Sequence, residues 1–143
     1  MIRKFNILLL LLGLNCVYAH AQNVQVSIRE LRNAKGQVIL NIYNSEASYD
    51  KEQPLKTFKF DKKNAVNGVL SVQLKLEQGE FGIALIDDEN ENSELDRNSI
   101  KVPKEGFGFS DFYLEQLKKP SFNDFKKQIK LDNNNITIRV KYL

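Results

Sequence analysis

The feature that most constrains this chain is an alternation of apolar and polar residues with period two, recurring at intervals of about ten residues. Val24, Val26 and Ile28 alternate with Gln25, Ser27 and Arg29. Val38, Leu40 and Ile42 repeat the pattern up to Tyr43, and Phe58 and Phe60 stand among lysines. Leu70, Val72, Leu74 and Leu76 share one face, and Ile136, Ile138 and Val140 alternate with Thr137, Arg139 and Lys141. Successive side chains of a strand point to opposite faces, so each segment reads as a strand with one buried face. Residues 81–86 are the most apolar run of this part of the chain, which places them centrally and buried on both faces. A shorter strand is expected near residues 128–131, before the Asp132-Asn133-Asn134-Asn135 turn. Strands at this spacing predict an all-β chain, a single-domain antiparallel β-sandwich of about seven strands. The turn at Asn33-Ala34-Lys35-Gly36 predicts that the first two segments pair as a hairpin. One short helical turn is expected after Ser121, whose hydroxyl would cap an amide near Asp124.

The N-terminus reads as an export signal. Arg3 and Lys4 precede an unbroken apolar run over residues 7–12, and Ala19-His20-Ala21 places small residues where a signal peptidase inspects them. The run is shorter than the roughly 20 residues a spanning helix needs, and no later segment offers a transmembrane candidate. The expected division is a signal peptide over residues 1–21 and a β-sandwich domain over residues 22–143, periplasmic or secreted. Lipid anchoring at Cys16 is the alternative, opposed by Asn15 where a lipobox carries a small residue.

Cleavage there leaves 122 residues. Arg3 and Lys4 leave with the signal, so 19 basic residues face 18 acidic ones, and Cys16 and His20 leave as well. A domain without Cys or His has no ordinary zinc or copper site, no Cys nucleophile, no Ser-His-Asp triad and no disulfide. Phosphate-binding glycine loops and the aromatic–basic interleaving of RNA-binding sheets are also missing.

Charge concentrates in one place. Residues 87–98 carry six acids and one base. Such crowding costs repulsion unless a cation or a basic partner neutralises it. Asp88, Asn90, Asn92, Glu94 and Asp96 fall on the first, third, fifth, seventh and ninth positions of an EF-hand-type calcium loop, Glu94 through its backbone carbonyl. Ser93 stands where such loops carry Gly, and Ser99 where they carry a bidentate Glu. The affinity expected for Ca2+ is therefore weak, on the order of 0.1 to 1 mM. A solvated turn without an ion is the competing reading, since Asp and Asn favour such turns by themselves.

The acidic loop is followed by Val102-Pro103-Lys104-Glu105-Gly106-Phe107-Gly108-Phe109-Ser110 and by Lys119-Pro120-Ser121-Phe122-Asn123-Asp124, and preceded by Leu31-Arg32-Asn33-Ala34-Lys35-Gly36-Gln37-Val38. These ordered motifs resemble the DUF2141 family of small exported bacterial proteins, whose function is not established. The resemblance covers essentially all of residues 22–143 and implies a sandwich of transthyretin-like or immunoglobulin-like type. The chain departs from the family pattern at Ser93 and Lys101, where glycine is usual, and at Asp87, where histidine is often found.

Phe107, Phe109, Phe112 and Tyr113 put four rings just beyond the acidic loop. They read either as a platform for a sugar or a partner peptide, or as core, with Phe107 and Phe109 on one strand face. Phe122 and Phe125 read as rings that pin a loop down. The function expected is that of an exported, non-enzymatic binding or structural module of the cell envelope, with an envelope protein or a polysaccharide as partner and no nucleic acid. A subunit of a larger envelope assembly would instead show a contiguous exposed apolar patch. A carboxylate-only glycan-acting enzyme would need two carboxyl groups about 5 to 10 Å apart in a cleft, one of them with a raised pKa.

Overall fold

The computed structural model describes residues 20–143, so the expected signal peptide and Cys16 lie outside the described residues except for its last two positions. Eight strands and two short helices follow in order: β1 (Gln22–Arg29), β2 (Gln37–Tyr43), α1 (Glu46–Asp50), β3 (Lys56–Asp61), β4 (Leu70–Leu76), β5 (Gly79–Asp88), β6 (Gly106–Phe109), α2 (Phe122–Phe125), β7 (Lys126–Ile129) and β8 (Asn134–Arg139). They form two sheets, a three-stranded one in the order β4-β1-β8 and a five-stranded one in the order β3-β2-β5-β6, with β7 also on β5. Pairing is antiparallel except between β1 and β8. The expected β-sandwich is the fold observed. Among the described residues no helix is long and apolar enough to cross a membrane.

Alternation fixed the faces of the strands but not their partners. β4 buries every second residue, and Val24, Val26 and Ile28 of β1 meet Val38, Leu40 and Ile42 of β2 in one core between the sheets. Each such side chain contributes roughly 1.5–3 kcal/mol on full burial. The expected β1–β2 hairpin does not form. β1 pairs with β4 and β8, while β2 lies in the other sheet between β3 and β5. Residues 30–36 are long enough to carry the chain across the core, with Glu30 and Gly36 at φ of 65° and 73° making the bends. Leu31 anchors the crossing by donating its amide to the carbonyl of Gly68, 3.0 Å away.

β5 is central, as its apolar composition required. Residues 82–88 pair with β2 along one edge, while β7 takes residues 79–82 and β6 residues 84–87 of the other. Ile83 and Leu85 face the sandwich core. The opposite face is partly covered, by a second cluster of Tyr43, Tyr49, Phe107, Phe109, Phe122 and Phe125, with Ala84 and Ile86 half-buried. The rings meet edge-on, Tyr49 with Phe125 at 5.0 Å and 70° between planes. Gly82 lies beneath them, and a Cβ there would drive into the rings of Phe125 and Phe122.

α1 was not expected. Ser45 caps it by accepting the amide of Ser48 at 3.2 Å, and it delivers Tyr49 to the aromatic cluster. α2 stands where a helical turn was expected, opened by a capping box in which the Asp124 carboxylate accepts both the amide and the hydroxyl of Ser121. The strand expected at 128–131 begins two residues earlier, as β7.

Candidate functional site

Three inward-facing alternations converge on one end of the sandwich. Phe58 and Phe60 of β3 lead to Lys62, Ile83 and Leu85 of β5 lead to Asp87, and Ile138 and Val140 lead to Tyr142. Lys62 and Asp87 are both 0% exposed, and the Lys62 ammonium donates to Oδ1 of Asp87. Tyr142 donates its hydroxyl to Oδ2 of Asp87 at 2.5 Å and accepts the amide of Arg32 at 3.1 Å. Lys62 also reaches Oδ1 of Asn33 at 3.3 Å. Burial and the bond to Asp87 push the Tyr142 phenol well above its ordinary pKa, so it stays a proton donor. Asp87, expected as part of a solvated acidic loop, is instead core. Lys62 and Tyr142 were missed by the sequence reading, although extending each alternation by one more step points to both.

The loop proper starts at Asp88, also buried. Its carboxylate accepts the amides of Asn92 and Ser93 at 3.1 and 2.9 Å and the side-chain amide of Gln37 at 2.7 Å. Asn90 and Asn92 each make an Asx turn by accepting the amide two residues on, from Asn92 and Glu94 respectively. Ser93 adopts a φ of 67°, the left-handed conformation for which calcium loops use glycine. Asn90 and Asn92 donate their side-chain amides to Asp96 at 2.6 and 2.9 Å.

Glu105 clasps the loop from behind. It is buried, and its carboxylate accepts the amide of Glu89 through Oε1 and that of Asp96 through Oε2, both at 3.1 Å. Burial raises its pKa, and these two bonds only partly offset the rise. Glu89 bonds to Arg32 at 2.5 Å. Burial opposes its ionisation, but the hydrogen bonds from Arg32 and Asn33 and the charges of Arg32 and Lys62 outweigh burial and hold its carboxyl below the usual value. Asp87, Asp88 and Glu89 are thus satisfied within the fold. Of the six acids over residues 87–98, Asp87 and Glu89 are paired with cations, and Asp88 is met by amide donors.

The five expected calcium ligands do share one loop, but only Asp88 and Asp96 bring carboxylates to it if Glu94 acts through its carbonyl. Among the described residues no three His, Cys, Asp or Glu side chains converge as a metal-holding group. A cation would displace the Asn amide hydrogens now directed at Asp96, with the Asn oxygens turned inward.

The four candidate aromatic residues divide between two adjoining hollows. Phe107 and Phe109 lie in the aromatic cluster and at the floor of a cleft of about 880 Å3 on the outer face of the five-stranded sheet. Leu95 and Pro103 of the acidic loop region wall it on one side, Leu114 and Pro120 of the β6–α2 connection on the other. Phe112 and Tyr113 line an adjoining hollow of about 680 Å3 with Glu46 and Asp50, and Leu114 and Pro120 line both. The Tyr113 ring lies 4.0 Å from the guanidinium carbon of Arg139.

Residues 26–138, from β1 to β8, match DUF2141, described as an uncharacterized protein conserved in bacteria. The chain belongs to the DUF2141 family. No curated protein and no solved structure matches it. In this DUF2141 chain the matched span takes in Lys62, Asp87, the whole acidic loop, Glu105 and the aromatic residues of β6, and stops just short of Tyr142.

Proposed function

We propose that this DUF2141 protein is an exported, non-enzymatic binding module of the cell envelope, in which Ca2+ organises the loop over residues 88–96 beside a ligand cleft. The observation that carries this reading is the backbone of that loop. Ser93 takes the left-handed turn without glycine, and the amides of Asn92 and Ser93 wrap the Asp88 carboxylate. The residue types over positions 88–96 are those a calcium loop uses at its first, third, fifth and ninth positions, which supports the reading. With two carboxylates the ion is held weakly, at about 0.1 to 1 mM, a range suited to extracellular calcium. The signal-like N-terminus supports export, and the absence of Cys and His from residues 22–143 supports a binding rather than a catalytic role. The partner is an envelope protein or a polysaccharide.

A subunit role in a larger assembly draws support from Leu117 and Leu143, which line the cleft while remaining 71% and 49% exposed. A glycan-acting carboxylate pair draws less. Its acid needs a raised pKa. Glu89 is shifted the other way by Arg32, and Glu105, whose pKa is raised, is buried with both carboxylate oxygens bonded to backbone amides.

The test is a thermal melt of the purified protein with 2 mM calcium, with magnesium and with chelator. A rise specific to calcium, lost in Asp96→Ala, is the expected result. Three superimposed curves would remove calcium from the reading and leave a binding module whose partner is to be sought at the cleft.

A further inference from the structure

Among the described residues Lys62 is the only fully buried lysine, and it faces a fully buried aspartate. Withdrawing both groups from water is costly, and each is held in direct contact with the other. Lys62 Nζ lies in hydrogen-bond contact with the Asp87 carboxyl, both side chains being 0% exposed, and this is the pairing from which an amide forms. We propose that Lys62 and Asp87 condense into an intramolecular isopeptide bond, stapling the end of β3 to the end of β5. The inference is independent of the calcium reading.

The chemistry balances without any added reagent. The ammonium proton passes along the existing hydrogen bond to Oδ1 of Asp87, and the Lys62 amine attacks Cγ, forming a C–N bond. The oxygen that bears the proton, Oδ1, takes a further proton from the attacking nitrogen and leaves as water, and the carbonyl on Oδ2 is restored. Each of the neighbouring groups has a part. Tyr142, hydrogen-bonded to Oδ2, lies where negative charge develops as nitrogen adds. Asn33 accepts from Lys62 Nζ and orients the amine. Holding the two groups in contact supplies an effective concentration on the order of 10^5 M or more, which offsets the slowness of amide formation between separate molecules. The apolar surroundings, with Phe60 and Leu85 two residues before the reacting pair on their own strands, favour neutral reactants and expel the product water. No cysteine occurs in residues 22–143, so this is the covalent cross-link open to a domain that cannot form a disulfide.

Intact-mass measurement of the purified, denatured full chain tests the proposal. The expected result is a mass lower by one water, and, after proteolysis, a branched peptide joining the segments that contain Lys62 and Asp87. Asp87→Asn, which condenses with loss of ammonia instead, converges on the same linked mass. Tyr142→Phe slows the loss without abolishing it. A folded, cooperatively melting protein that keeps its full mass after prolonged incubation at neutral pH would overturn the proposal and leave an ordinary buried ion pair. A loss of water that persists in Lys62→Met would overturn it as well, by placing the dehydration elsewhere.

Discussion

The hydroxyl of Tyr142 lies 2.5 Å from Oδ2 of Asp87, so the end of the chain is tied to the end of the central strand β5. The same hydroxyl accepts the amide of Arg32, whose guanidinium lies 4.6 Å from the centre of the Tyr142 ring. One side chain thereby joins the β1–β2 crossing, β5 and the residues after β8. Tyr142→Phe keeps the ring and removes the hydroxyl, leaving a buried Asp87 oxygen and an amide short of a partner. An unsatisfied buried group costs about 1–3 kcal/mol. Denaturant unfolding is expected to show a loss of that size with an unchanged slope.

The acidic loop makes a prediction about pH. Folded Glu89 holds its proton less tightly than an ordinary glutamate, whose pKa is 4.5. Its ionised form therefore contributes stability that is fully present above that value, and is lost as pH falls through the lowered folded value. Arg32→Ala removes the main partner responsible. The melting temperatures of the wild type and Arg32→Ala are expected to differ by a constant amount near neutrality and to converge below about pH 4.5. Glu105 works in the opposite sense, since its folded pKa is raised and it gains stability on taking up its proton. It is present in both proteins, so it cancels from the difference. Curves that stay parallel through the acid range would show that the Arg32–Glu89 bond does not hold the carboxylate.

Much of this was legible in the sequence, in a specific way. Alternation reports which face a residue takes, and it placed the inward residues of β1, β2, β4 and β8 correctly. It carries no information about which strand lies alongside, so β1 and β2 looked like a hairpin when they in fact face each other across the core. Lys62 and Lys63 illustrate the limit at the site. They are adjacent and chemically identical, yet Lys62 is fully buried while the side chain of Lys63 is 73% exposed. Parity with Phe58 and Phe60 distinguishes them, but charge at a strand end reads as a turn unless its partner is known. That partner, Asp87, is 25 positions away. The helix α1 escaped for a different reason, because a five-residue helix has too few turns to show a period and is set by its Ser45 cap.

Gly36 fixes how closely β2 approaches the start of the loop. Its φ is 73°, and a Cβ there would lie 2.7 Å from both Cα and the carbonyl oxygen of Glu89. Gly36→Ala therefore meets a strained backbone and a clash with main-chain atoms that have no freedom to yield. The expected cost exceeds about 1 kcal/mol, read as a fall in melting temperature. The adjacent Lys35→Ala, at an exposed side chain, serves as a control that leaves the melt unchanged.

The two ring pairs of the candidate ligand segment separate by substitution. Phe109 is buried against Phe125 at 5.1 Å and against Tyr49 at 6.5 Å, so Phe109→Ala opens a cavity beneath α1 and α2. Truncation of a buried phenylalanine costs about 3–5 kcal/mol. Tyr113 stacks on the surface with Arg139 and Lys141, and such exposed cation–π contacts contribute about 0.5–1 kcal/mol. Tyr113→Ala is therefore expected to shift the denaturation midpoint slightly, whereas Phe109→Ala shifts it several times further. Equal effects would mean that the floor of the cleft is not core, and would return Phe109 to the list of ligand-contacting residues.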